Sequence, residues 1–134
     1  MPKPTKQQYA RAARLREALL RFLHVSDEIA GRHGLTQQRY QLLLMIKTAR
    51  DGSERAPLGE LKERLQLANS STVELVARAE ALGLVQRELS TQNRRLVYVA
   101  LTEEGRQRLD ATLTELSRAR TQLRTTLAAI TREA

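Results

Sequence analysis

Two adjacent arginines, Arg94 and Arg95, stand directly before an apolar run that alternates like a half-buried strand, in the stretch NRRLVYVALT. Residues 91–95 (TQNRR) separate this run from an earlier strand-like run, LVQRELS, so the arginines lie at the tip of a predicted hairpin. A guanidinium at such a tip can enter the narrow, strongly negative minor groove of A·T-rich DNA. We expect Arg94 to make that contact and Arg95 to bind a phosphate or hold the turn. The alternative is that both arginines simply keep an exposed hairpin soluble.

A second group of polar side chains stands where a helix is predicted to begin, in NSSTVELVARAEAL. Hydroxyl and amide side chains at a helix N-terminus, together with its free backbone amides, favour phosphates and base edges. The predicted DNA contacts on this helix are Asn69, Ser70, Ser71, Thr72, Glu74 and Arg78. For Asn69 or Ser70, capping of the helix is the alternative role.

The charge balance favours a polyanionic partner such as double-stranded DNA. The 134 residues include 23 Lys and Arg against 15 Asp and Glu, a net charge of +8. Residues 1–40 hold 8 basic and 3 acidic side chains, whereas residues 41–100 hold 9 and 7, so DNA affinity requires cations gathered on one face. The predicted phosphate contacts are Arg39, Lys62, Arg64 and, on the first strand of the hairpin, Arg87. Each could instead be a solvated surface charge.

Catalytic chemistry has little support in the sequence. There is no cysteine, which excludes disulfides, thiolate zinc sites and iron–sulfur clusters. His24 and His33 are nine residues apart with no acidic pair beside them, so a surface or helix-end position is favoured over metal binding. No nucleophile elbow, phosphate loop or carboxylate pair occurs. We therefore expect a protein that is not an enzyme and has no cofactor and no metal.

The N-terminal region does not read as a membrane or secretory segment. Its apolar run ALLRFLHV is interrupted by Arg21 and His24. We expect a soluble, cytoplasmic protein without a membrane partner; the alternative is that the basic amphipathic first helix touches lipid.

The elements that would position these residues follow from apolar spacing and capping signals. Thr5 begins a helix that GRHG ends, and Thr36 caps the next helix, which the stretch DGSERAP breaks. The predicted helices cover residues 5–30, 36–49, 58–66 and 70–82. In the second helix, the residues expected in the core are Tyr40, Leu43, Leu44 and Ile46; in the fourth they are Val73, Val76 and Leu82.

The two short helices have the proportions of a helix-turn-helix, whose second helix can enter a major groove. The hairpin follows directly, with Val97, Val99 and Leu101 on one strand face and Tyr98 on the other. Such a pair of strands is stable only when it leans on the helices. The predicted fold is mostly α with a small β-hairpin wing, a winged helix-turn-helix with N- and C-terminal dimerisation helices.

After the hairpin, Thr102 caps a final helix that no Gly or Pro interrupts from residue 106 onward. Its apolar residues keep a heptad seam in which Arg120 fills one place. We expect this helix to pack on the first helix and on a second copy of the chain; the alternative is packing within one chain. The predicted homodimer interface consists of Leu15, Leu19, Phe22, Leu113, Leu116, Leu123, Leu127 and Ile130.

Residues 69–105, NSSTVELVARAEALGLVQRELSTQNRRLVYVALTEEG, resemble the recognition helix, wing and following helix of the MarR family of bacterial winged helix regulators. The preceding LGELKERLQL resembles the first helix of the family's DNA-binding pair. The resemblance implies a homodimer that binds pseudo-palindromic promoter DNA, usually as a repressor, with a small-molecule effector in many members. It divides the chain into a tail and dimerisation helix (1–34), a DNA-binding region (35–102) and a C-terminal dimerisation helix (103–134).

Three departures from the family pattern stand out. Ser90 and Asn93 occupy wing positions that are commonly Asp, which predicts a less fixed but more positive tip. Glu74 stands where many members have a basic residue, so it must accept a cytosine amino proton or pair with an arginine. The chain also stops near where a last family helix would begin, so the resemblance predicts an interface built from the first and last helices alone. A nonspecific architectural or nucleoid-associated DNA-binding protein is the alternative function.

Overall fold

The computed structural model describes residues 1–93 and 95–132, which form a winged helix-turn-helix flanked by long helices. The mostly helical fold class predicted from the sequence is confirmed. In chain order, the elements are α1 (Lys6–Arg32), α2 (Gln37–Lys47), β1 (Arg55–Pro57), α3 (Leu58–Leu65), α4 (Asn69–Ala81), β2 (Val85–Leu89), β3 (Val97–Leu101), α5 (Glu103–Glu115) and α6 (Ser117–Arg132).

The first two helices begin at the threonines that the sequence indicates. Thr5 and Gln8 form a capping box, in which each side chain accepts a hydrogen bond from the other residue's backbone amide. Gly34, at φ 74°, takes the left-handed conformation that turns the chain after α1. Thr36 Oγ1 then accepts a hydrogen bond from the Arg39 amide and caps α2. Both helices keep their predicted boundaries to within two residues.

The core lies where α2, α3, α4 and α5 meet one face of the sheet. Its largest fully buried apolar side chains are Leu42, Leu43, Ile46, Leu61, Leu84, Leu109, Leu116, Val76, Val85 and Val99. Of the four α2 residues expected there, Tyr40, Leu43 and Ile46 are buried, whereas Leu44 is only partly buried. Burial raises the pKa of the Tyr40 hydroxyl, and the neighbouring Arg120 guanidinium opposes that rise.

The sheet has three strands, one more than the sequence predicts. Strand β1 pairs antiparallel with β3, and β3 pairs with β2, so the order is β1-β3-β2. The stretch DGSERAP was expected only to break a helix, but its last residues place the fully buried Ala56 opposite Val99. Pro57 is tolerated because β1 is an edge strand. This third strand ties the base of the hairpin to the connection between α2 and α3.

The predicted inner face of α4 is displaced by about one residue. Val76 is buried as expected, but Val73 is 41% exposed and Leu82, which follows the end of the helix, is 52% exposed. The buried side chains are Thr72, Leu75, Val76 and Ala79. The hydroxyl of Thr72 donates to the Ala68 carbonyl at 3.0 Å, which satisfies its hydrogen-bonding group and lets this polar residue occupy a core position.

The C-terminal region forms two helices, where the sequence predicts one. Thr102 caps α5 as expected, accepting a hydrogen bond from the Gly105 amide. Helix α5 ends at Glu115 and a separate helix, α6, starts at Ser117. The buried Thr112 hydroxyl donates to the Arg108 carbonyl at 2.8 Å, an interaction that bends helices without Gly or Pro.

The apolar residues of the predicted heptad seam lie in two different surroundings, one before the bend and one after it. Leu109 and Leu116 are each 1% exposed and belong to the core of the protomer. Leu116 is therefore not an interface residue, and that expectation was wrong. Beyond the bend, α6 packs along α1, as predicted for the contact between the first and last helices.

Candidate nucleic-acid interface

Helix α4 presents an exposed face on the side opposite its buried residues. The exposed side chains include those of Asn69, Ser70, Ser71, Glu74 and Arg78. Thr72 is 1% exposed and lies on the inner face, so it cannot contact DNA directly. Thr72 was predicted as a DNA contact because its hydroxyl lies in the first turn of the helix, and that prediction was wrong.

The start of α4 has no side-chain cap. The N-cap residue is Ala68, and no side chain accepts a hydrogen bond there. The prediction that Asn69 or Ser70 caps the helix was therefore wrong, because Asn69 is already the first helical residue. Their side chains are exposed in the first turn, beside backbone amides whose partial positive charge favours anions.

Glu74 and Arg78 form an ion pair one turn apart on this exposed face. Arg78 Nη2 donates to Glu74 Oε1 at 2.8 Å, and both side chains are more than 60% exposed. An arginine was one of the two partners expected for Glu74, the other being a cytosine amino group. The pair neutralises the carboxylate, so Glu74 adds no unbalanced negative charge to the helix face.

Arg39 lies across a shallow groove from this pair. The groove has a volume of about 410 Å³ and is lined by Thr36, Gln38, Arg39, Leu67, Ser71, Glu74, Leu75 and Arg78. Within the described part of the chain, the buried Nε of Arg39 has no hydrogen-bond partner. An unsatisfied buried donor in a groove that already holds a second guanidinium favours an anionic occupant.

The two cations predicted on α3 differ in their surroundings. Lys62 is exposed, and the described residues offer it no ion-pair partner. Arg64 donates to the carbonyl oxygens of Met45 and Thr48, each at 3.0 Å, and also contacts Glu60. Its guanidinium is committed to the end of α2, so Arg64 is a structural residue, and its assignment as a phosphate contact was wrong.

Arg87, expected as a phosphate contact, lies on β2 next to the end of α4. Its guanidinium pairs with Glu80 at 2.9 Å, and its backbone amide donates to the same carboxylate at 3.2 Å. These hydrogen bonds lower the pKa of Glu80. Arg87 is still exposed, but its charge is balanced, and its contacts join α4 to the first strand of the wing.

The turn of the wing is held by neutral oxygens. Ser90 Oγ accepts hydrogen bonds from the Gln92 and Asn93 amides, each at 3.2 Å, and Asn93 Oδ1 accepts one from the Arg95 amide at 3.0 Å. The missing carboxylates therefore do not leave the turn without side-chain hydrogen bonds, contrary to expectation. Arg95 is exposed at the turn. Arg94 lies outside the described residues.

The base of the wing is fixed by one arginine that the sequence analysis did not select. Arg55 Nε lies 2.7 Å from Glu88 Oε2, and its guanidinium carbon is 5.0 Å from the centre of the Tyr98 ring. These contacts join β1, β2 and β3. No local signal identifies Arg55, because its partners are more than thirty residues away in the sequence.

The histidines have the surface and helix-end positions expected of them. His24 pairs with Glu28 one turn along α1, and His33, after the end of α1, lies 3.4 Å from Glu115. Within residues 1–93 and 95–132, no group of three or more His, Asp or Glu side chains is arranged to hold a metal ion. None of the described helices is long and apolar enough to cross a membrane.

Comparison with known proteins relates this fold to transcriptional regulators. Residues 33–96 match the model of the MarR family. The uncharacterized HTH-type transcriptional regulator YdgJ of Bacillus subtilis (strain 168) is 25% identical over 85 residues, which cover 63% of this chain and 49% of that protein. The match thus spans about half the length of this curated relative.

Solved structures share the fold over most of the chain. Sco3205, a MarR family transcriptional regulator from Streptomyces coelicolor in complex with DNA, has a TM-score of 0.79 at 23% identity, covering 98% of this chain and 88% of that one. AbsC, a MarR family regulator from the same organism, has a TM-score of 0.79 at 20% identity, covering 92% and 84%. A mutant MarR from E. coli, complexed with operator DNA, has a TM-score of 0.71 at 17% identity, covering 88% of each chain. At these identities the likeness establishes the fold.

Proposed function

We propose, from the match of residues 33–96 to the MarR family model, that the protein is a transcriptional regulator that binds double-stranded DNA in a sequence-specific manner. It binds as a homodimer to a pseudo-palindromic operator and acts as a repressor. The fold that it shares with proteins solved on DNA supports the choice of partner.

The observation that carries this proposal is the exposed face of α4. Its side chains differ in size and polarity, and its one carboxylate is neutralised by Arg78. A helix used only for nonspecific attraction needs cations and nothing else. Small polar and apolar groups beside a single arginine are instead suited to reading base edges in a major groove.

Cations beside α4 supply the phosphate contacts that set its position. We assign this role to Arg39, Lys62 and the arginines of the wing. Arg95 is exposed at the turn, and the TQNRR segment contains no acidic residue that could balance its charge. We retain Arg94 as the proposed minor-groove contact on the basis of the sequence.

The homodimer is supported by apolar surface that one protomer leaves uncovered. None of the described residues of α6 is buried, although its apolar side chains include Leu123, Leu127 and Ile130. The exposed large apolar side chains of α1 and α5 are Tyr9, Leu15, Leu20, Leu23 and Leu113. Long helices with such faces require another apolar surface to cover them, and a second copy of the chain offers the same helices. Leu19 and Phe22, both partly buried between α1 and α6, complete the proposed interface.

A two-fold protein on DNA accounts for the proposed operator and for repression. Two copies of α4 related by a two-fold axis require two half-sites about one helical turn apart, on opposite strands. A promoter covered by such a dimer is closed to RNA polymerase.

Regulation by a small molecule is supported by a cleft between α1 and α6. The cleft has a volume of about 460 Å³, and its walls include Phe22, Val25, Leu123 and the cation Arg21. This volume falls within the range of small-molecule sites, and the mixture of apolar walls with one cation suits an aromatic or aliphatic acid.

A binding experiment separates this proposal from a nonspecific DNA-binding protein. Duplexes that the full chain selects from a random pool are compared with unselected duplexes of equal length. We expect the selected site to be two-fold symmetric and bound at least about 1,000-fold more tightly. Equal affinities would favour the architectural alternative. A response to salt concentration that is nearly flat would contradict DNA binding through phosphates.

A further inference from the structure

We propose that Val73 reads a thymine methyl group in each half-site of the operator. This inference rests on the proposed DNA-binding function and adds a specificity-determining residue to it. The apolar spacing predicts Val73 in the core, but the structure leaves it 41% exposed on α4, between the buried Val76 and the exposed Ala77, each about one turn away.

The neighbours of Val73 on α4 allow it to come close to a base pair. Ser70, Ala77 and Ala81 lie within one or two turns of it, and all three are small and exposed. With 3.6 residues per turn, Ser70, Ala77 and Ala81 lie opposite Thr72 and Ala79, and Val73 lies at the edge of this exposed face. Ser70 and Ala77, one turn to either side of Val73, are too short to hold the backbone away from a groove, and Glu80, two turns on, pairs with Arg87 on β2. A valine at position 73 can therefore reach the bases.

The chemistry of the side chain selects what it can contact. Valine has no hydrogen-bond donor or acceptor, so it cannot read the polar edges of adenine, guanine or cytosine. Placing it against those edges would remove water without replacing the lost hydrogen bonds. The C5 methyl of thymine is the apolar group that unmodified DNA presents in its major groove. Val73 therefore favours thymine at the position it faces.

Charge on the same helix supports DNA as the occupant of this face, in preference to an apolar protein segment. The next residue, Glu74, pairs with Arg78, and Arg39, whose Nε has no partner among the described residues, lies across the groove from that pair. An apolar docking segment would leave the Arg39 Nε without a partner, whereas a duplex offers it phosphates and offers base edges to the Glu74–Arg78 pair.

The test removes one methyl group from the DNA. After operators have been selected from a random duplex pool, each conserved thymine is replaced in turn by deoxyuridine, which lacks only the C5 methyl. At one symmetric pair of positions, we expect affinity to fall by about fourfold for each methyl group lost. The variant Val73→Ala should bind the unmodified operator more weakly and lose this sensitivity to deoxyuridine.

Two controls make the result specific to Val73. The variant Leu82→Ala shortens an equally exposed apolar side chain beyond the last turn of α4, and it should keep the full sensitivity to deoxyuridine. Thermal unfolding should show that Val73→Ala is as stable as the parent chain, because the residue lies outside the core.

The outcomes distinguish this inference from the function on which it depends. If an operator is selected but no thymine shows a deoxyuridine effect that Val73→Ala removes, the role of Val73 is refuted and sequence-specific binding stands. If no duplex is enriched, both proposals are refuted.

Discussion

Arg64 is held beneath the connection between α2 and α3. Its guanidinium donates to the carbonyl oxygens of Met45 and Thr48, and its Nη2 donates to the Thr48 hydroxyl at 3.0 Å. Carbonyl groups in the last turn of a helix lack partners within that helix. Arg64 supplies those partners, and it thereby fixes α3 against α2.

Paired substitutions on α3 should separate a structural cation from a binding cation. Replacing Arg64 by Ala should lower the free energy of unfolding by about 1–3 kcal/mol, because the partly buried Met45 carbonyl and the exposed Thr48 carbonyl both lose a charged donor. Replacing the exposed Lys62 by Ala should leave stability unchanged and weaken binding to all duplexes, with a salt dependence lower by about two charges per dimer. Urea unfolding and binding titrations at several salt concentrations measure the two effects. A loss of stability confined to Lys62→Ala would reverse the assignments.

At the scale of elements, α5 begins in direct contact with the turn that follows α4. Gly105 packs against the backbone of Leu84, and a Cβ atom at position 105 would overlap the Leu84 carbonyl oxygen. The same oxygen accepts a hydrogen bond from the Thr102 amide at 3.0 Å, and Thr102 Oγ1 donates to the Gly83 carbonyl. The close approach anchors the start of α5 to the turn that follows α4.

A matched pair of glycine substitutions tests this contact. Changing Gly105 to Ala should destabilise the chain by about 1–3 kcal/mol, because the backbone atoms it meets cannot move aside easily. Changing Gly59 to Ala, where the added Cβ atom meets nothing within 4 Å, should stabilise α3 by up to about 1 kcal/mol. Thermal and urea unfolding of both variants provide the comparison. Equal effects would show that the packing at Gly105 does not determine stability.

Acid should weaken the connection between α4 and β2. Because hydrogen bonds from Arg87 lower the pKa of Glu80 in the folded chain, the ionised carboxylate favours folding. This contribution is present above the unfolded pKa, near 4.5, and is lost as pH falls through the lower folded value. Between pH 6 and pH 3, we expect the stability difference between the parent chain and Glu80→Gln to shrink. Arg87→Ala removes the same pair and should behave alike; a difference that is constant with pH would exclude the pair as its source.

Local signals predicted the elements well where one side chain determines the boundary. Thr36 and Thr102 cap helices as expected, since each cap depends on a residue only three positions away. Thr5, expected as the first residue of the first helix, is instead its N-cap. Strand β1 was not predicted, because it has only three residues, ends in proline and shows no alternating pattern. It is defined only by its pairing with β3. The bend near Leu116 has no Gly or Pro to signal it in the sequence, and the buried position of Thr112 beside it exists only in the assembled core.

The sequence predicted which elements form the candidate site, but it was wrong for residues whose availability depends on tertiary contacts. Residue type and spacing located α4 and the wing, but not which arginines are already engaged. Arg64 and Thr72 were chosen for their chemical groups, yet both use those groups inside the protomer. Val73 was assigned to the core because it is apolar, and only its exposure in the folded chain identifies it as surface.

At the scale of the whole molecule, α5 and α6 belong to different units. Leu109 and Leu116 anchor α5 in the hydrophobic core, whereas α6 lies along α1 and has no buried residue among those described. The proposed dimer contact therefore begins only beyond the bend.

Substitution of one exposed leucine should separate the protomers without unfolding them. Leu20 is 66% exposed on α1, so Leu20→Glu should leave the protomer folded and place a carboxylate in the proposed apolar interface. We expect a monomer by sedimentation equilibrium and a loss of operator affinity of at least about 100-fold, because two linked half-sites are no longer bound together. Leu82→Glu, an equally polar change outside this interface, should remain dimeric. A Leu20→Glu protein that is still a dimer would place the interface elsewhere.

A small rotation at the bend near Leu116 would move the far end of α6 by a much larger distance than residues next to the bend. Helix α6 has 16 residues and is therefore about 24 Å long. A rotation of about 10° at the bend would move its far end by about 4 Å, which exceeds the rise of about 3.4 Å between neighbouring base pairs. In the proposed dimer, small changes in how α6 lies on α1 would thus change the separation of the two copies of α4.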